Sequence, residues 1–283
     1  MNQHDYAHLH VTIDTGVAHV TIDNPPVNVL GFGLMTELSS LLTSLADDAS
    51  VRVIVFDSAD PDFFIAHVDM TLGEDQGAVA ELMARAPKDL NPFQALNEQL
   101  RKQPQVTIVK LAGLARGGGA EFVTAADLAF AAIGRAGLGQ IEALMGIVPG
   151  GGGTQYLAHR IGRNRALEVV LGAGLFDAGT AERYGWVNRA LPADELDDFV
   201  DQLARNIAGL SDGVVAAAKS AIRPADLSEG MVRESEAWGG LVFLPAAGEL
   251  MAGGLGGGAQ TPDGERDLEG LFRRLRPVSG TTD

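Results

Sequence analysis

Val106 to Leu111 is an apolar run that leads into Gly117-Gly118-Gly119, after which Ala120 to Ala126 reads as a helix and Leu128 to Ala132 as another strand. A short apolar run of this kind is a buried strand, so the order strand, glycine turn, helix, strand points to an α/β fold. Three glycines at that junction leave the backbone bare at a helix start. The first N–H groups there lack intrahelical partners and lie at the positive end of the helix dipole. Such a turn suits a carbonyl oxygen that gains negative charge, with Glu121 in the first helical turn beside it. A plain strand-to-helix connection has the same glycines, and the turn alone does not separate the two.

The rest of the chain fits around this segment. Leu9 to Ile13 and Val17 to Ile22 alternate across Asp14-Thr15-Gly16, which predicts a β-hairpin. Leu34 to Leu45 repeats leucine at helical spacing, and Val51 to Phe56 reads as a buried strand, giving a ββαβ start. Helices are expected at Leu96 to Lys102, Thr154 to Ile161, Arg165 to Leu171 and Ala178 to Tyr184, with a strand at Val187 to Leu191. From Ala193 the pattern is almost wholly helical. The expectation is an α/β core over residues 1–192 and a C-terminal helical region over residues 193–283. Gly253 to Gly258 reads as a flexible interruption before a last helix, Glu265 to Leu275.

The formal net charge of -16 argues against a footprint for nucleic acid or an anionic membrane. An anionic ligand would need its charge met locally, by arginines or by helix N-termini. With 0 cysteines, disulfides, thiolate catalysis and Cys-ligated zinc are excluded. His4, His8, His10, His19 and His159 show no metal-ligand grouping, so no metal is expected. No apolar stretch reaches membrane-spanning length and Met1 to His10 is polar, which is compatible with a cytoplasmic location.

Two more segments could complete a site. Glu142 stands in apolar company in Gly139-Gln140-Ile141-Glu142-Ala143-Leu144, where desolvation would raise its pKa and favour acid/base work; a solvent-facing glutamate is the alternative. Phe63-Phe64-Ile65-Ala66-His67-Val68-Asp69 follows the strand Val51 to Phe56, and its backbone could give a second N–H donor; otherwise it is an apolar loop covering a sheet edge.

In this order and spacing these segments resemble the enoyl-CoA hydratase/isomerase (crotonase) superfamily. The likeness begins at Asn24-Pro25-Pro26-Val27-Asn28-Val29-Leu30. It runs through Gly117-Gly118-Gly119-Ala120-Glu121 and Gln140-Ile141-Glu142 to Gly146-Ile147-Val148-Pro149-Gly150-Gly151-Gly152-Gly153-Thr154-Gln155. The resemblance implies a spiral of ββα units with a C-terminal helical region that packs over neighbouring subunits in a homotrimer or a dimer of trimers. It implies an acyl-CoA substrate and no separate cofactor. The N–H groups of Val68 and Gly118 would hold the thioester oxygen, and Glu121 and Glu142 would be the catalytic acids. Ala66, His67, Val68, Asp69, Met70, Thr71, Gly117 and Gly118 would contact the acyl-CoA. Retention of both glutamates favours 2-enoyl-CoA hydration; the alternatives are double-bond isomerisation, another crotonase-type lyase or hydrolase reaction, or acyl-CoA binding without turnover.

Two positions depart from the family pattern: His67 replaces the usual glycine and Ile141 the usual proline. Were φ positive at His67, the backbone there would be strained. Packing or contact with CoA is expected of this histidine, ahead of acid/base chemistry. Ile141 removes a backbone restraint just before Glu142, which predicts a less rigidly aimed carboxylate.

Overall fold

The computed structural model describes residues 6–275, so His4 lies outside the described residues. Strands β1 (Leu9–Asp14) and β2 (Val17–Ile22) form the expected antiparallel hairpin. Its loop residues Thr15 and Gly16 have φ of 45° and 84°. Positive φ at both central residues matches the turn to the right-handed twist of the strands.

Beyond β2 the sheet is parallel. Strands β3 (Val53–Ser58), β5 (Val106–Leu111), β7 (Leu128–Ala132) and β10 (Arg189–Leu191) extend it in the order β1-β2-β3-β5-β7-β10. A second sheet holds β4 (Phe63–Ile65), β6 (Leu114–Arg116), β8 (Gly137–Gly139) and β9 (Leu175–Asp177), the first three parallel and the last antiparallel. Because β3 leads to β4, β5 to β6 and β7 to β8, each turn of the chain adds one strand to each sheet. That is the expected spiral. The glycine turn differs in one respect from the sequence expectation: it leaves the short strand β6 of the second sheet and not β5. Three-residue strands carry too little alternation to be visible in sequence.

The helices are α1 (Phe32–Ala46), α2 (Gln76–Arg85), α3 (Pro92–Arg101), α4 (Gly118–Ala125), α5 (Gly153–Arg160), α6 (Arg163–Gly172) and α7 (Ala178–Tyr184). They are followed by α8 (Leu196–Ala208), α9 (Val214–Ala221), α10 (Ser228–Val242), α11 (Pro245–Gly256), α12 (Pro262–Glu265) and α13 (Leu268–Leu275). α3 starts earlier than its apolar spacing predicts. Asn91 accepts from the N–H groups of Phe93 and Gln94, the Gln94 amide returns to Asn91 N–H, and Pro92 fits the first turn. Leu34, Leu38, Leu41, Leu42 and Leu45 of α1 are all buried, in one core with the main sheet and α4. There Phe56 and Phe122 meet edge to face with centroids 5.2 Å apart.

α8 lies against the main sheet, whereas α11 and α13 pack on the 3₁₀ turn Glu142–Met145 that follows β8. Ala247 of α11 and Leu268, Leu271 and Phe272 of α13 form a second apolar cluster with Ile141, Leu144, Met145 and Ile147. The expected flexible break at Gly253 to Gly258 is not found, since α11 continues through Gly256. Glycine here serves close packing: a Cβ on Gly254 would collide with the Phe272 ring. Among the described residues no single helix is long and apolar enough to cross a membrane.

Candidate active site

At the end of β6 the chain turns through Gly117, whose φ of 47° and ψ of -123° favour glycine, and α4 begins at Gly118. Gly117 N–H donates to Gly139 O at 2.9 Å and Arg116 N–H to Ala66 O at 3.1 Å, so β6 is tied on both sides. A Cβ on Gly119 would overlap the Ile65 carbonyl, and one on Gly118 would stand 2.5 Å from Val68 Cγ2. The helix start is therefore pressed against the end of β4 and the Val68 loop. The two segments expected to supply donor N–H groups lie side by side.

The Val68 loop is pinned to Leu30 by a parallel bridge, with Leu30 N–H donating to His67 O at 2.8 Å and Asp69 N–H to Leu30 O at 3.2 Å. In a trans peptide the N–H points opposite to the C=O. Val68 N–H therefore points away from Leu30. His67 is absent from the residues with positive φ, so no left-handed strain arises there. Its ring is only 2% exposed, with Nδ1 2.7 Å from Val68 O and Nε2 2.9 Å from Glu265 Oε1. The structure thus places the imidazole against the C-terminal segment, with both nitrogens engaged. Ala66 is buried as well. Asp69 Oδ1 accepts from Thr71 N–H and Oγ1 at 2.9 and 2.8 Å, and Gln260 holds both Asp69 and Met70 N–H.

Glu121 and Glu142 are both buried, and a third carboxylate, Glu234 of α10, joins them. The glycine loop ahead of α5 grips two of the three. Glu121 Oε1 accepts from Gly151 N–H at 2.8 Å and Gly153 N–H at 2.9 Å. Glu234 takes Gly152 N–H at 2.5 Å, Thr154 N–H at 2.8 Å, Thr154 Oγ1 at 2.5 Å and Gln94 Nε2 at 3.1 Å. N–H groups at a helix start are natural carboxylate partners. Glu142 begins the 3₁₀ turn Glu142–Met145. With the Gln140 amide turned so that its nitrogen faces the carboxylate, it donates to Glu142 Oε1 and Oε2 at 3.1 and 2.9 Å.

Burial pushes Glu142 up to about 8, with the Glu234 charge adding to it. Burial also raises Glu121 well above the ordinary range, reinforced by the charges of Glu142 and Glu234 and opposed by its two N–H donors. Glu234 is raised by burial against its four hydrogen bonds. Three adjacent carboxyls cannot all ionise at neutral pH. The chemistry this allows is bifunctional: one acid keeps its proton for delivery while a neighbour carries charge and accepts one. The Ile141 side chain is buried in the second apolar cluster, and Leu144 N–H donates to Ile141 O at 2.9 Å.

Sequence reasoning missed Glu234, Gln260, Glu265 and Glu269. They reach the site from late helices and the loop before α12, with no local motif around them.

Residues 12–237 match the model of the enoyl-CoA hydratase/isomerase family. The chain is 33% identical to the probable enoyl-CoA hydratase of Mycobacterium bovis over 233 residues, covering 81% of this chain and 87% of that one. It is 31% identical to the mitochondrial methylglutaconyl-CoA hydratase of Mus musculus over 258 residues, 88% of this chain and 74% of that one. A crystal structure from Streptomyces avermitilis, provisionally named an enoyl-CoA hydratase, superposes with a TM-score of 0.94 at 66% identity and covers 95% of this chain and 98% of that one. Fold and matches together define a crotonase-type α/β protein. The chain belongs to the enoyl-CoA hydratase/isomerase family.

Proposed function

We propose that the protein is a 2-enoyl-CoA hydratase. The observation that carries this reading is the meeting of two buried carboxyl groups, Glu121 and Glu142, beside a helix start whose Gly118 lies against Val68. The N–H groups of Val68 and Gly118 would bind the thioester oxygen and stabilise the enolate charge that grows there. Ionised Glu121, supported by its two backbone donors, would take a proton from water as the oxygen attacks the β carbon. Protonated Glu142 would deliver a proton to the α carbon, so that one water is added and charge balances. The backbone from Ala66 to Thr71 would meet the pantetheine and thioester part of the acyl-CoA.

Hydration of crotonyl-CoA removes the absorbance of the conjugated thioester, which gives a direct assay. Glu121→Gln and Glu142→Gln are each expected to lower kcat by about 10²–10⁴-fold. Equal rates in wild type and both variants would overturn the reading. Loss in only one, with conversion of a 3-enoyl-CoA to its conjugated isomer, would point to single-base isomerisation.

A further inference from the structure

The residues just ahead of the two donor positions share one buried anchor. His67 precedes Val68, and Arg116 stands two residues before Gly118. His67 Nε2 is 2.9 Å from Glu265 Oε1, whereas Arg116 Nη1 stands 3.6 Å from Glu265 Oε2, an ion-pair distance too long for a hydrogen bond. Glu269 completes the arginine's shell, taking Nε at 2.7 Å and Nη2 at 3.1 Å. All four side chains are buried. Glu265 Oε1 also accepts from Gln260 N–H at 2.9 Å, and Gln260 in turn holds Asp69 and Met70. The segment from Gln260 to Glu269 therefore grips the backs of both walls at once.

We propose that Glu265 is a positioning residue for the Val68 donor of the oxyanion hole, fixing the loop around Val68 through His67. The inference rests on the hydratase reading above, since it concerns the hole that this reading requires. Two constraints set the direction of Val68 N–H. The carbonyl of its own peptide, His67 O, is held by Leu30 N–H at 2.8 Å. The next carbonyl, Val68 O, is held by the His67 ring at 2.7 Å, and that ring is held by Glu265. The ring thus bridges Val68 O to Glu265. Burial works against ionisation of Glu265, but the His67 hydrogen bond and charge, with help from Gln260 N–H and Arg116, hold it below the usual carboxylate range.

Well-packed apolar residues would usually serve stability as well as a buried ion cluster. What the cluster adds is direction, because hydrogen bonds fix the planes of the peptides they touch. It also gives the His67 side chain a role: it joins the loop to this chain's own C-terminal segment.

The test uses butyryl-CoA labelled with ¹³C at the thioester carbon, which binds without being hydrated. Donors aligned on the carbonyl lower its infrared stretching frequency on binding to the full-length protein. In wild type we expect such a lowering. In Glu265→Gln we expect at least half of it to be lost, with kcat for crotonyl-CoA down about 10²-fold and KM changed less than about threefold. His67→Gln shortens the link from the other end and is expected to show the same loss, which keeps the test open if the first variant does not fold. A wild-type frequency retained in both variants would overturn the inference. No lowering in wild type would overturn the hydratase reading and take this inference with it.

Discussion

The two walls of the site are built by opposite strategies. The wall from Arg116 to Glu121 is made almost wholly from contiguous chain, with β6, the glycines and α4 following one another and Glu121 N–H returning to Gly117 O at 2.9 Å. The wall from Ala66 to Thr71 has little regular structure of its own. It is held by Leu30 on one side and on the other by Gln260 and Glu265, some 190 residues later in sequence. A locally built wall depends on backbone space, whereas a remotely built one depends on a few buried polar contacts. The first is sensitive to added atoms and the second to removed ones.

The locally built wall has one remote tie at its start, Glu269 on Arg116, and removing it is the harshest test of the contrast. Glu269→Ala leaves Arg116 buried with only Glu265 near it, and is expected to cost about 3–5 kcal/mol of stability, read by denaturant unfolding. Adding one atom to the local wall comes next: Gly119→Ala drives a methyl group into the Ile65 carbonyl and is expected to cost about 1–3 kcal/mol in the same measurement, with loss of turnover.

A smaller effect sharpens the comparison, because the acids of the glycine-turn side also have a remote neighbour, Glu234. Glu142 is needed with its proton, so activity should fall as pH rises through about 8. The Glu234 charge is one of the causes that raise Glu142, so Glu234→Gln should move the alkaline limb of the kcat/KM profile to lower pH. An unmoved limb would count against Glu234 as its electrostatic neighbour. The same group links pH to stability. A carboxyl at about 8 in the folded state and near 4.5 unfolded binds more protons when folded between those values. Its contribution is complete below about 4.5 and is lost as pH rises toward 8. Glu142→Gln should therefore flatten the decline of stability across that window, as measured by urea midpoints at several pH values.

Elements with long, regular patterns were legible in the sequence. The hairpin and α1 are set by alternation or helical spacing, β3 and β5 show as apolar runs, and the glycine turn announces itself by composition. The second sheet was not legible, since β4, β6, β8 and β9 are three residues each and owe their strand state to one another. The run from Gly253 to Gly258 misled in the opposite sense. Glycine suggests freedom in isolation, but its lack of a side chain equally permits the close approach of α11 and α13. Glu121 stood out because it follows a glycine turn, and Glu142 because its sequence neighbours are apolar. Glu234 and Glu265 look like ordinary helical acids, and only the folding back of the chain gives them partners.

The glycine loop before α5 has one more consequence. Its successive N–H groups alternate: Gly151 and Gly153 serve Glu121, while Gly152 and Thr154 serve Glu234. The loop therefore acts as a comb whose odd teeth face one acid and whose even teeth face the other. Inserting or deleting a single residue would reverse the parity and hand each carboxylate the other's donors. A Cβ added at any of Gly150 to Gly153 would collide with a neighbouring side chain, so the stretch is fixed in composition as well as in length.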